Sequence, residues 1–151
     1  MRIDLDQSLL CRPGWVLRPE DQLPMRAHGQ IDFDPAHLSF FTHSRFEKEA
    51  EITGRKLLPF LKDQPVLPDV ILDLLLERPR WIHRFWIGTC IPFWGSLYRR
   101  IDVEEFLDPK QRRPDDDLYI RNLVITERGI HERALSLYAK HDRTFRIPIW
   151  R

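Results

Sequence analysis

Trp81-Ile82-His83-Arg84-Phe85-Trp86-Ile87-Gly88-Thr89-Cys90-Ile91-Pro92-Phe93-Trp94-Gly95-Ser96-Leu97-Tyr98-Arg99-Arg100-Ile101 carries three of the five tryptophans of the chain and its densest run of large apolar side chains. Each fully buried large side chain contributes on the order of 1.5–3 kcal/mol, so this stretch is expected to be the central strand region over which the rest folds. Ile91, Phe93, Gly95, Leu97 and Ile101 alternate with Trp94, Ser96 and Tyr98, and both sets are partly apolar, as in a strand covered on two sides. Gly88 and Gly95 mark a bulge or a close backbone approach, and Pro92 withdraws one ladder donor.

Downstream, the two-residue period continues. Leu118 to Thr126 alternates and reads as a strand returning antiparallel to 91–101, Glu127-Arg128-Gly129 reads as a tight turn, and 130–139 reads as a further strand, although Ala134, Leu135, Leu137 and Tyr138 also fit a helix. Phe145, Ile147 and Ile149 alternate in a last strand. Between the first two strands lies a long polar loop, 102–117, with the runs Lys110-Gln111-Arg112-Arg113 and Asp115-Asp116-Asp117.

Upstream, the pattern becomes helical. Pro68 sits where a first-turn proline is tolerated, Val70, Ile71, Leu74 and Leu75 form a broad apolar face, and Pro79 ends the helix. Leu57 to Leu61 is broken by Pro59 and is expected to be extended or a single turn. Ser44 and Glu47 have capping-box spacing ahead of a polar helix ending at Gly54, and Asp34-Pro35 is a plausible start for another short helix. Prolines 13, 19, 24 and 35 make residues 1–35 an irregular arm. The expected fold is therefore α+β in one domain: an irregular N-terminal arm (1–35), a mainly helical part (36–78) with one or two helices, and a mainly β part (81–151), an antiparallel meander of about four strands.

The 151 residues suffice to bury roughly 68–70% of the unfolded surface in one core. No run approaches the roughly 18 apolar residues of a membrane span, and no apolar leader precedes Pro13-Gly14, so no membrane partner and a cytoplasmic location are expected. Cys11 and Cys90 alone give no disulfide framework, and Cys90, inside the aromatic stretch, reads as a small buried hydrophobe. Net charge is +1, but residues 1–77 carry nine Lys/Arg against thirteen Asp/Glu and residues 78–151 fifteen against ten. The cationic half is almost wholly arginine, whose planar fork suits carboxylates, phosphates and aromatic faces.

Signatures of chemistry are sparse. No two of the six histidines stand four apart as a helical metal pair, no Gly-x-Ser-x-Gly elbow is present, and the six glycines build neither a P-loop nor a dinucleotide fingerprint. No metal or cofactor is therefore expected. An enzymatic reading would place Arg99 and Arg121 together on adjacent strands around an anionic substrate, with Tyr98 nearby and His83 or an aspartate such as Asp116 as base. A nucleic-acid reading would stack bases on Trp94, Tyr98 and Tyr119 beside the arginines, against which the near-neutral charge argues. The run from Leu67 through Leu74-Leu75-Leu76-Glu77-Arg78-Pro79, with Phe93-Trp94-Gly95-Ser96-Leu97-Tyr98-Arg99 and Leu118-Tyr119-Ile120-Arg121, resembles a pattern found in small bacterial proteins, and that resemblance implies no substrate, cofactor or catalytic residue. The preferred reading is a non-enzymatic module that binds another protein, an accessory, inhibitor or immunity-type protein. Its expected anchors are Trp81, Trp86, Trp150, Arg112 and Arg113.

Overall fold

In the computed structural model, which describes residues 1–7, 12–42, 48, 51–100 and 117–151, the aromatic stretch divides at Gly88. Before it stand two 3₁₀ turns, Pro79–Trp81 and Arg84–Trp86, and only from Cys90 does the chain run as a strand. The strand was expected from Trp81. Pro79 and the left-handed Gly88 (φ 85°) punctuate the first half too closely for a ladder.

In chain order the elements are β1 (Arg2–Asp4), β2 (Trp15–Val16), β3 (Gln30–Asp32), β4 (Ser39–Phe40), β5 (Glu51–Thr53), α1 (Gly54–Leu61), α2 (Val70–Glu77), β6 (Cys90–Arg100), β7 (Leu118–Thr126), β8 (Gly129–Ser136), β9 (Lys140–Asp142) and β10 (Pro148–Ile149). The fold is α+β, with a four-stranded antiparallel sheet in the order β2-β6-β7-β8. β6, β7 and β8 form the meander, and 129–136 is a strand as expected. The fourth place goes to β2 from the arm, because β10 pairs instead with β4. The arm is also more regular than its prolines imply, since β1 and β3 pair in register Ile3↔Ile31.

The segment 36–78 departs further from expectation. Asp34-Pro35 starts only a 3₁₀ turn, Pro35–His37, in which the Asp34 carboxylate accepts from Ala36 N at 2.9 Å. Glu51-Ile52-Thr53, expected to end a helix, is a strand: Ile52 stands opposite His141 and is buried, so tertiary pairing overrides the helical composition. The box Ser44/Glu47 lies outside the described residues. Gly54 opens a helix rather than closing one. Thr53 caps it by accepting from Lys56 N, and Leu57 and Leu61, four apart, are buried beneath it. Pro59 forfeits one backbone bond, and the helix stops two residues later.

β6 serves two hydrophobic clusters. Trp94 and Leu97 join Leu57, Leu61, Ile120, Leu135 and Phe145 on one side, and Ile91 and Phe93 join Ile71, Leu75, Leu123 and Ile125 on the other. Between Pro92↔Asn122 and Leu97↔Ile120 the register with β7 shifts, so β6 spends five residues where β7 spends two. The arch brings Gly95 N to 3.0 Å from Leu67 O, and a Cβ on Gly95 would lie 2.4 Å from the Leu67 carbonyl carbon and from Pro68 N. Backbone cannot yield as a flexible side chain does. Gly95→Ala is therefore expected to cost at least the roughly 1–3 kcal/mol typical of overpacking, read as a lowered urea midpoint at unchanged slope.

Candidate functional site

The two turns before Gly88 make a knuckle on the surface. His83 Nδ1 accepts from Phe85 N at 3.3 Å, Thr89 Oγ1 donates to Trp86 O at 2.6 Å, and Gly88 N donates to Ile125 O at 2.8 Å, so side chains and sheet fix the backbone at both ends. Trp81 turns inward onto Phe33 with 6.3 Å between ring centroids, and Trp86 meets Phe40 edge-on at 5.9 Å. The residues beside Trp86 are thereby turned out: Phe85 is 74% and Ile87 47% exposed. Arg84 lies over the Phe85 ring at 5.1 Å, and His83 flanks that ring with centroids 4.8 Å apart. An open hollow of about 310 Å³ runs alongside, lined by Pro79, Ile82, Ile87, Ile125 and Ile130.

The hollow is lined by one cation, Arg84, and one anion, Glu127. Among the described residues Arg80, Arg84 and Arg128 form no ion pair. Large exposed apolar side chains beside an arginine that forms no ion pair among the described residues are what an interaction surface carries.

The arginines singled out for a substrate are not brought together. Arg99 stands opposite Leu118 and shares a face with Ile120, whereas Arg121 points to the other face. Arg99 grips Asp21 bidentately at 2.7 and 3.1 Å and Asp117 at 2.7 Å, and the Asp21 hydrogen bonds hold its pKa above the ordinary value in spite of desolvation. Arg121 is buried. Its Nε donates to Glu132, Nη1 to Asp69 at 2.9 Å and Asp73 at 3.0 Å, and Nη2 to Asp73 at 2.6 Å. Burial by itself would lower its pKa, and the bonds to Asp73, Glu132 and Asp69 outweigh that and raise it. Tyr98 Oη donates to Asp69 at 2.7 Å, and Asp69 N donates to Ser96 Oγ at 3.0 Å, so the cluster ties β6, β7, β8 and α2 together. Both guanidinium groups are taken up by carboxylates of the chain itself.

No family model, curated protein or solved structure matches the chain. The surface chemistry therefore carries the functional reading.

Of the expected anchors, Trp81, Trp86 and Trp150 are half-buried and pack against the core, and Arg112 and Arg113 lie outside the described residues, as does Asp116. Sequence reasoning missed Phe85 and Ile87. The available signal was the bracket of Pro79 and Gly88, a segment too short to bury every aromatic residue it holds. His83 caps a turn and stacks on Phe85, and among the described residues no carboxylate orients it as a base. Trp94 and Tyr98 are buried, and Tyr119 stacks on Trp15 with centroids 5.6 Å apart, so these three do not form an open face for bases. Cys90 is half-buried rather than buried, its sulfur 3.9 Å from Arg133 Nη2. Among the described residues no three His, Cys, Asp or Glu side chains gather as metal ligands, and no helix is long and apolar enough to cross a membrane.

Proposed function

We propose that the chain is a protein-binding module whose contact surface is the knuckle Pro79–Gly88, and that its partner presents an acidic segment with apolar side chains. The observation that carries this reading is the outward presentation of Phe85 and Ile87 on a backbone fixed from both sides. A rigid aromatic anchor gains about 1.5–3 kcal/mol when a partner buries it, with little ordering cost. Arg84, which lies over the ring and forms no ion pair among the described residues, selects carboxylates. The rest of the surface adds complementarity rather than energy.

Phe85→Ala is expected to weaken the complex on the order of 10-fold or more while changing stability by less than about 0.5 kcal/mol, because the side chain supports little of the fold. A photo-crosslinking phenylalanine analogue at position 85 identifies the partner, with the same group at exposed Met25 as control. The expected adduct contains an acidic, apolar segment, forms at position 85 alone, and disappears when Arg84→Glu is added. Equal labelling at both positions, an adduct indifferent to Arg84→Glu, or an adduct with a second copy of this chain would sink the proposal.

A further inference from the structure

Four buried polar atoms stand apart from the rest. Among the described residues, the side chains of Asp69, Ser96, Asp117 and Arg121 are buried and hydrogen-bonded, yet Trp94 Nε1, His141 Nε2 and both amide atoms of Asn122 have no protein partner. These three side chains are 0%, 1% and 0% exposed, in the order Trp94, His141, Asn122. A buried donor or acceptor left unmet forfeits its hydration with nothing in return, so four together are not a bearable remainder in a domain of ordinary stability.

The fold brings the three side chains to the same side of the sheet. Asn122 pairs with Pro92 and shares with Ile120 the sheet face on which Trp94 packs. The Trp94 and His141 rings are 5.7 Å apart between centroids, and His141 lies on Phe145 at 4.4 Å. Phe145 bridges to Cys90, two residues before Pro92 on the same face, and Arg133, the other cross-strand partner of Asn122, reaches the Cys90 sulfur. Neighbours of Asn122 in β6 and β8 are thereby linked to the Phe145 and His141 rings.

Their chemistry specifies what fits between them. His141 Nδ1 lies 3.2 Å from Ala139 O, and a carbonyl only accepts, so Nδ1 bears the proton and Nε2 is an acceptor. Trp94 Nε1–H is a donor, and Asn122 offers one group of each kind. Two donors and two acceptors match a neutral molecule with two donors and two acceptors. A cation would meet N–H groups, an anion would meet the Nε2 lone pair, and the near-zero exposure of all three side chains excludes a large ligand. We propose that Trp94, Asn122 and His141 form an internal site for water, one or two molecules held by hydrogen bonds that join β9 to the central sheet.

A crystal structure of the wild-type chain at high resolution tests this directly. Expected is density within about 2.7–3.2 Å of at least two of Trp94 Nε1, His141 Nε2 and the Asn122 amide. Well-ordered side chains around featureless density, or the three groups bonded directly to one another, would overturn the proposal. Thermal unfolding of Asn122→Leu gives a second reading. A watered site predicts a fall in Tm of about 2–8 °C, because the solvent loses its partner, whereas a dry site predicts a rise, because an unmet amide is removed. If Asn122→Leu does not fold, His141→Phe is read the same way, and a rise in Tm in either folded variant counts against the site.

Discussion

Arg121→Ala loses about 3–5 kcal/mol of stability and unfolds at a much lower urea concentration than the wild type. The reason lies in what it leaves behind. Arg121 is the cation common to Asp69, Asp73 and Glu132, and Asp69 is as buried as Arg121 itself. Removing the guanidinium leaves, among the described residues, a buried carboxylate with Tyr98 Oη as its donor and two more exposed carboxylates beside it. Like charges in a low dielectric repel, and at neutral pH the only relief is protonation or local opening. Arg121→Lys is expected to recover little, since a single ammonium cannot reach three carboxylates in the fork geometry seen here. Asp73→Asn, at the wetter end, should cost much less, because Arg121 keeps Asp69 and Glu132. Urea titrations of the three variants check the order. A loss for Arg121→Ala below about 1 kcal/mol would mean that the cluster contributes no more than a surface pair.

Acidification removes about 3 kcal/mol between pH 6.5 and pH 4 through His141 alone. Burial pushes the His141 imidazole from 6.5 down to about 4, the Ala139 carbonyl and Asp142 oppose that, and Arg133 assists it. The folded chain thus binds this proton less readily than the unfolded chain. The stabilisation is complete above pH 6.5 and declines as pH falls toward 4, at about 1.36 kcal/mol per unit of difference. Asp142 works in a lower window. Hydrogen bonds from Thr144 hold its carboxylate below 3.8, so its contribution is present above that value and lost only in stronger acid. Urea midpoints across pH 4–8 for the wild type and His141→Phe separate the two groups: the variant should be nearly flat in this range. A variant that loses as much as the wild type between pH 6.5 and 4 would place the titration elsewhere.

What could be read from the sequence alone was whatever depended on near neighbours. Leu118 to Thr126 and the strand after Gly129 announce themselves by alternation around a two-residue turn, and α2 by its apolar face between Pro68 and Pro79. β5 could not be read, because Ile52 is a strand residue only through His141, almost ninety positions away. Pro59 argued against α1, yet a capping threonine and two buried leucines outweighed one lost backbone bond. The site was half legible for the same reason. Arg99 and Arg121 stood out as arginines on a sheet, but Asp21 and Asp69, which occupy them, come from distant segments. At the knuckle, aromatic richness was visible, whereas which rings turn inward was decided by Phe33 and Phe40.

The dual allegiance of β6 has a consequence for how the chain acquires its shape. Trp94 and Leu97 belong to one cluster, Ile91 and Phe93 to the other, and their buried partners come from residues up to Leu75 and from Leu118 onward. Neither cluster can be assembled from a local stretch of chain. Before β6 gains cover on either side, the arm, the helices and the meander must already be near one another, and most of the loop-closure entropy is spent before burial returns it. The search for the native arrangement is therefore slow for a chain of this length, and during it β6, the most apolar strand, is the segment most in need of shielding from other molecules.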